Sequence, residues 1–130
     1  MNEELRLQIV QHQLQSARTC IKEVLYLKEG AFYNAAMARL YYACFHAASA
    51  LLISCSFETK THNGIRAVIG KEFVQTGKLS PELGRFYTKL YNKRQDSDYD
   101  NFIFFEEADL DEFYPQALEF IEAIEKLILW

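Results

Sequence analysis

Two prolines and five glycines among 130 residues leave few places where a regular element must break. No segment alternates apolar and polar residues between turn signals, so the usual signature of a half-buried strand is missing. Three cysteines cannot all pair, and Cys20, Cys44 and Cys55 share no Cys-x-x-Cys spacing. They read as buried free thiols in a reducing compartment. The longest stretch poor in charge, Ala31 to Phe57, carries Arg39 and His46, so no membrane span is expected. The start Met1-Asn2-Glu3-Glu4 is acidic where a signal peptide is basic, and a cytoplasmic protein is expected. His12, His46 and His62 fall on different elements without ligand spacing, and there is neither a Gly-rich phosphate loop nor a nucleophile elbow. No metal and no cofactor are expected.

What is present is 50% hydrophobic and 15% aromatic, enough for one core in a single domain over residues 1–130. Leu5, Ile9, Leu14, Ala17, Ile21 and Val24 recur at helical steps and predict a first helix from Asn2 to Lys28, closed at Gly30. The second, from about Phe32 to Ser54, is apolar nearly all round and belongs at the centre. A polar connection through Thr61, His62 and Asn63 leads to a short helix over Ile65 to Gln75. Ser80-Pro81 starts a fourth helix that runs to about Asp96. Asp109-x-x-Glu112 has capping-box spacing before a last helix that runs to Trp130. The fold class is all-α, an up-and-down bundle of four to five helices.

The net charge of -4 speaks against a protein that coats nucleic acid, but it hides an asymmetry. Glu58 to Arg94 holds eight basic residues against three acidic ones, whereas Asp96 through Glu112 holds eight carboxylates. Arg85, Lys89 and Lys93 recur every four residues as a basic stripe, readable as a solvated face or as a track for an RNA backbone. Arg39 is the lone formal charge in the second helix and shares a face with His46; a guanidinium there needs an anion or several acceptors. The expected partner is a carboxylate between Asp96 and Asp100, above all Asp98. Arg94 projects from the apolar face of the fourth helix, one turn before Asp98. The alternative reading of Arg39 and His46 is that they hold the bundle together through buried hydrogen bonds.

Four stretches in order carry a resemblance. They are Ala38-Arg39-Leu40-Tyr41-Tyr42-Ala43-Cys44-Phe45-His46-Ala47-Ala48, Lys60-Thr61-His62-Asn63-Gly64, Phe73-Val74-Gln75-Thr76-Gly77-Lys78-Leu79, and Arg94-Gln95-Asp96-Ser97-Asp98-Tyr99. Together they resemble the HEPN superfamily, and within it the small stand-alone HEPN proteins. The resemblance implies a helical bundle that commonly dimerises, a minimal nucleotidyltransferase as partner in a toxin-antitoxin pair, and in many members metal-independent RNA cleavage by an Arg and a His four to six residues apart on a late helix. Here Arg94 is present at that place, but Asp98 and Tyr99 follow where the His is expected, and at most weak ribonuclease activity is expected. Arg94, Asp98, Tyr99, Arg39 and His46 are the candidate site, expected to form one polar patch, with Arg85, Lys89 and Lys93 as candidate RNA contacts. Tyr99 is a candidate acceptor for nucleotidyl transfer. A homodimer is expected from the aromatic excess of Tyr87, Tyr91 and Phe102-Ile103-Phe104-Phe105. The leading expectation is an RNA-linked module working with a nucleotidyltransferase; the alternatives are an active HEPN endoribonuclease and a non-catalytic dimeric interaction protein.

Overall fold

The computed structural model describes residues 2–100 and 102–128, and every regular element among them is helical. Helix α1 spans Glu3–Glu29, α2 Tyr33–Ser54, α3 His62–Val68, α4 Pro81–Tyr99 and α5 Glu107–Leu127; a π-helix over Ile69–Val74 continues α3. The fold is the all-α bundle that the periodicities imply.

Side-chain caps set most of the helix starts. Asn2 Oδ1 accepts from the Leu5 amide at 2.7 Å, Thr61 Oγ1 from Gly64 at 2.9 Å, and Ser80 Oγ from Leu83 at 3.2 Å. Helix α5 starts earlier than its sequence suggests. Asn34 Oδ1 accepts from the Phe105 amide at 2.7 Å and its Nδ2 donates to the Ile103 carbonyl at 3.0 Å, which pins the incoming loop. The helix therefore begins directly behind Phe105, with Glu106 as cap and Asp109 Oδ2 accepting from the Glu106 amide at 2.8 Å. Asp109 thus closes the capping box instead of opening one. At its far end Ile128 is already extended, and residues 129–130 lie outside the described residues. Helix α4 runs on to Tyr99, past the expected end at Asp96. The short helix starts three residues before Ile65 and widens midway, with the Gln75 amide donating to the Gly70 carbonyl at 3.0 Å, a five-residue step.

Helix α2 is the axis of the molecule and touches α1, α3, α4 and α5. Its Ala36, Leu40, Ala43, Cys44, Ala47, Ala48 and Leu51 are fully buried, and the small side chains among them let neighbouring helices approach closely. By length and composition it could cross a membrane, yet it is the covered core helix of this bundle. Tyr87 of α4 stacks on Phe120 of α5 at 4.9 Å and Phe86 packs on Phe113 at 6.0 Å, so aromatic rings join the two helices. Tyr87 and Phe105 are thereby buried within the chain, which narrows the aromatic excess expected to drive dimerisation; Phe102 and Phe104 remain exposed.

Candidate functional site

Three helices deliver one aromatic and basic cluster. Tyr41, Tyr42, Phe45 and His46 follow one another along α2, α4 contributes Tyr91 and Arg94, and the first residue of α3 is His62. The placement of His62 is built locally. Thr61 caps the helix, and a side chain at Gly64 would collide with the hydroxyls of Thr59 and Thr61, so only glycine lets the turn close this tightly. The imidazole then lies flat on Phe45, ring centres 4.2 Å apart, with Nδ1 2.8 Å from Tyr41 Oη.

Tyr41 is fully buried, and that burial, only partly offset by Tyr87 and Arg94, pushes its hydroxyl up to about 12. It is therefore a phenol at neutral pH, able to accept from Nδ1–H of His62 and to leave the Nε2 lone pair outward. Over the same Tyr41 ring, at 4.8 Å, stands the Arg94 guanidinium, which also reaches Tyr42 at 5.7 Å. Nη1 of Arg94 donates to Asp98 Oδ2 at 2.8 Å, whereas its Nε is buried without a hydrogen-bond partner. A cation with one unused, desolvated donor beside a fixed imidazole is equipped to receive a phosphate oxygen.

Arg39 does not meet Asp98. Its Nη1 lies 3.6 Å from Glu23 Oε1 of α1 and its guanidinium 5.0 Å from the Tyr42 ring, with a side chain 36% exposed. A long side chain on a core helix can run along the apolar surface to its edge, and Glu23 on the neighbouring α1 meets it there, closer than the exit of α4. His46 is held by α1 as well, its Nδ1 2.7 Å from Gln13 Oε1; an amide oxygen only accepts, so Nδ1 carries the proton. The five candidates therefore separate. Arg94 and Asp98 are paired, Arg39 and His46 adjoin them through Tyr42, and Tyr99 stands apart at 85% exposure. Of the basic stripe, Arg85 pairs with Glu82 at 3.7 Å and Lys89 with Glu112 at 3.5 Å, while Lys93 is exposed.

The sequence reading placed His62 in a polar connection and found no titrating group beside Arg94. The fold brings that group from α3. Its signal was present in Thr61-His62-Asn63-Gly64, where a cap followed by a glycine fixes the first residue of a helix.

Both histidines are held below their usual 6.5, His62 by burial and then by Arg94, His46 by burial and then by Arg39, His12 and His62. The unfolded chain therefore takes up protons at higher pH than the folded one. The associated stability is fully present above 6.5 and is lost as pH falls through the depressed folded values. A thermal midpoint measured from pH 7.5 down to 5 is expected to fall over this window and to fall less in His62→Phe; a flat profile in the parent protein would contradict the assignment.

The described residues thus form an all-α bundle in which Arg94 of α4 and His62 of α3 both lie against Tyr41 of the central helix. The HEPN domain model matches residues 10–127, and the chain belongs to the HEPN family. It is 36% identical over 128 residues to a UPF0332 protein of Thermotoga maritima, covering 98% of this chain and 96% of that one. Two Methanocaldococcus jannaschii proteins, each carrying the name "putative toxin", are also similar. One is 40% identical over 78 residues, 60% of this chain and 52% of its own length; the other is 36% identical over 99 residues, 76% and 73%.

Proposed function

We propose that this protein is a toxin-type HEPN ribonuclease that cuts RNA without metal at the Arg94–His62 centre and is restrained by a minimal nucleotidyltransferase. One observation carries the reading. Arg94 and His62 both lie against Tyr41, so a fixed cation and an imidazole are brought to one place. The toxin names of the archaeal relatives support it. In the reaction, His62 Nε2 removes the proton of a ribose 2′-hydroxyl and the oxygen attacks the adjacent phosphorus. The bond from phosphorus to the 5′-oxygen breaks, water supplies the leaving-group proton, and a 2′,3′-cyclic phosphate and a 5′-hydroxyl result. The Arg94 guanidinium stabilises the charge that gathers on the phosphoryl oxygens.

The exposure of Tyr99, at the end of the helix that carries Arg94, favours its role as acceptor. The phenolic oxygen forms a bond to the α-phosphorus of a nucleoside triphosphate, pyrophosphate leaves, and the phenolic proton passes to solvent. A homodimer belongs to the same reading, favoured by Phe102 and Phe104 at 88% and 75% exposure. Expression of the chain alone should arrest growth of a host cell and leave RNA ends bearing cyclic phosphate. Co-expression with a co-encoded nucleotidyltransferase should restore growth and add a nucleotidyl mass to the Tyr99 peptide. RNA left intact by the purified protein in EDTA would overturn the nuclease, and restored growth with an unmodified Tyr99 would remove the acceptor.

A further inference from the structure

A cleft of about 470 Å³ opens between the α3–π-helix segment and α4. Two glycines shape it. At Gly84 an added Cβ would sit 2.7 Å from Val74 Cγ2, so α4 and the π-helix touch there; at Gly70 it would meet nothing within 4 Å. The walls therefore converge at Gly84 and part at Gly70. Ile69, Val74 and Tyr87 give an apolar lining, Thr88 and Asn92 add hydrogen-bonding groups, and Arg66, Arg85 and Lys89 stand along it, Arg66 donating to Asn63 and Lys89 with its ammonium over the Phe113 ring of α5. No carboxylate lines the cleft. Glu82 and Glu112 reach Arg85 and Lys89 from outside it, through exposed pairs of the kind worth little in water.

On the lining residue Arg66 the buried Nε has no hydrogen-bond partner, whereas the Tyr87 hydroxyl is turned to Tyr41. An orphaned polar atom at a concave surface marks a place where a ligand gains more than water does. The cleft also joins the Arg94 centre. The Arg66 guanidinium lies 5.2 Å from the Tyr91 ring, Tyr91 is 6.1 Å from Tyr41, and Tyr41 carries Arg94 and His62. The two places thus share packed aromatic rings, with the fully buried Tyr41 between them.

We propose that this cleft is a nucleoside subsite, holding one base of single-stranded RNA on its apolar lining and that nucleotide's phosphate on Arg66, Arg85 and Lys89. The proposal rests on reading the Arg94–His62 centre as an RNA-phosphate site, and it names the substrate as an unpaired strand. A flat base with a polar edge matches apolar walls bearing Thr88 and Asn92, and a duplex cannot offer a single base to a closed-ended cleft. Contacts from three cations make the affinity fall with salt at a log–log slope of about -2.

The test uses the full chain and a 2′-O-methyl tetranucleotide, which cannot be cut, read by calorimetry and amide NMR. Inorganic phosphate and a short poly-glutamate peptide serve as comparison probes. Gly70→Leu places a bulky side chain at a lining position where an added Cβ meets nothing within 4 Å. It is expected to weaken tetranucleotide binding at least tenfold at an unchanged thermal midpoint, with the parent protein shifting the amides of Gly70, Thr88 and Asn92. Should Gly70→Leu fail to fold, Arg66→Gln decides, with the same tenfold loss expected. Parent-like binding by the folded variant overturns the proposal. So does binding of phosphate or poly-glutamate as tight as that of the nucleotide, which would make the cleft a general anion site. Arg94→Ala separates the two readings. If it leaves both cleavage and binding untouched while Gly70→Leu still loses the oligonucleotide, the cleft stands and the Arg94 centre falls.

Discussion

Replacing His62 by alanine is expected to lower metal-free RNA cleavage about 10²–10⁴-fold, the span typical of losing a positioned acid–base group. Arg94→Ala is expected to cost about 10²–10³-fold, as when a donor to a developing oxyanion is removed. The two effects should not add in the double variant, because both groups serve one transition state. Tyr41→Phe separates chemistry from folding. It removes the hydroxyl 2.8 Å from His62 Nδ1 while keeping the ring under Arg94, so cleavage should fall and its pH dependence should shift with little change in the melting curve. Cleavage by His62→Ala at the parent rate would place the proton transfer elsewhere.

The largest stability effect is expected at Phe120. It is fully buried, stacked on Tyr87 at 4.9 Å and packed on Phe86 at 6.2 Å, so it joins α5 to α4 over the core. Phe120→Ala removes that surface and leaves a cavity that fixed helices cannot close, at a cost of about 3–5 kcal/mol. For a chain of this size the thermal midpoint should fall by roughly 10–20 °C. Leu118→Ala, on the same helix but 40% exposed, is the comparison and should change stability by less than about 1 kcal/mol. Equal losses at the two positions would show that α5 is held by something other than its inward face.

Helices were the most legible part of the sequence because each is written locally. Asn2 and Ser80 cap the helices they were expected to start, and the apolar face of α1 supplies buried Val10, Leu14, Ala17, Cys20 and Val24. The start of α5 was misread because its position depends on Asn34, some seventy residues earlier, which ties down Phe105. The site was legible at Arg94 and Asp98, which pair within one helix. It was not legible at His62, whose neighbours Tyr41, Phe45 and Arg94 come from two other helices. The partner of Arg39 was misassigned for the same reason. Sequence spacing shows that a guanidinium needs an anion but not which neighbouring helix brings one close, and α1 supplies Glu23.

A π-turn holds one residue more than an α-turn of the same span, so Ile69–Val74 accommodates a surplus residue without unwinding the chain on either side. Loss of a single codon there lets the segment rewind as α-helix, which changes the facing of the residues within the turn while those on either side keep theirs. Gly70 and Val74 then no longer face α4 together, while Arg94, on α4 itself, keeps its place. A lineage can thus open or close this cleft in one step, altering what the protein accepts without touching the groups that act on it.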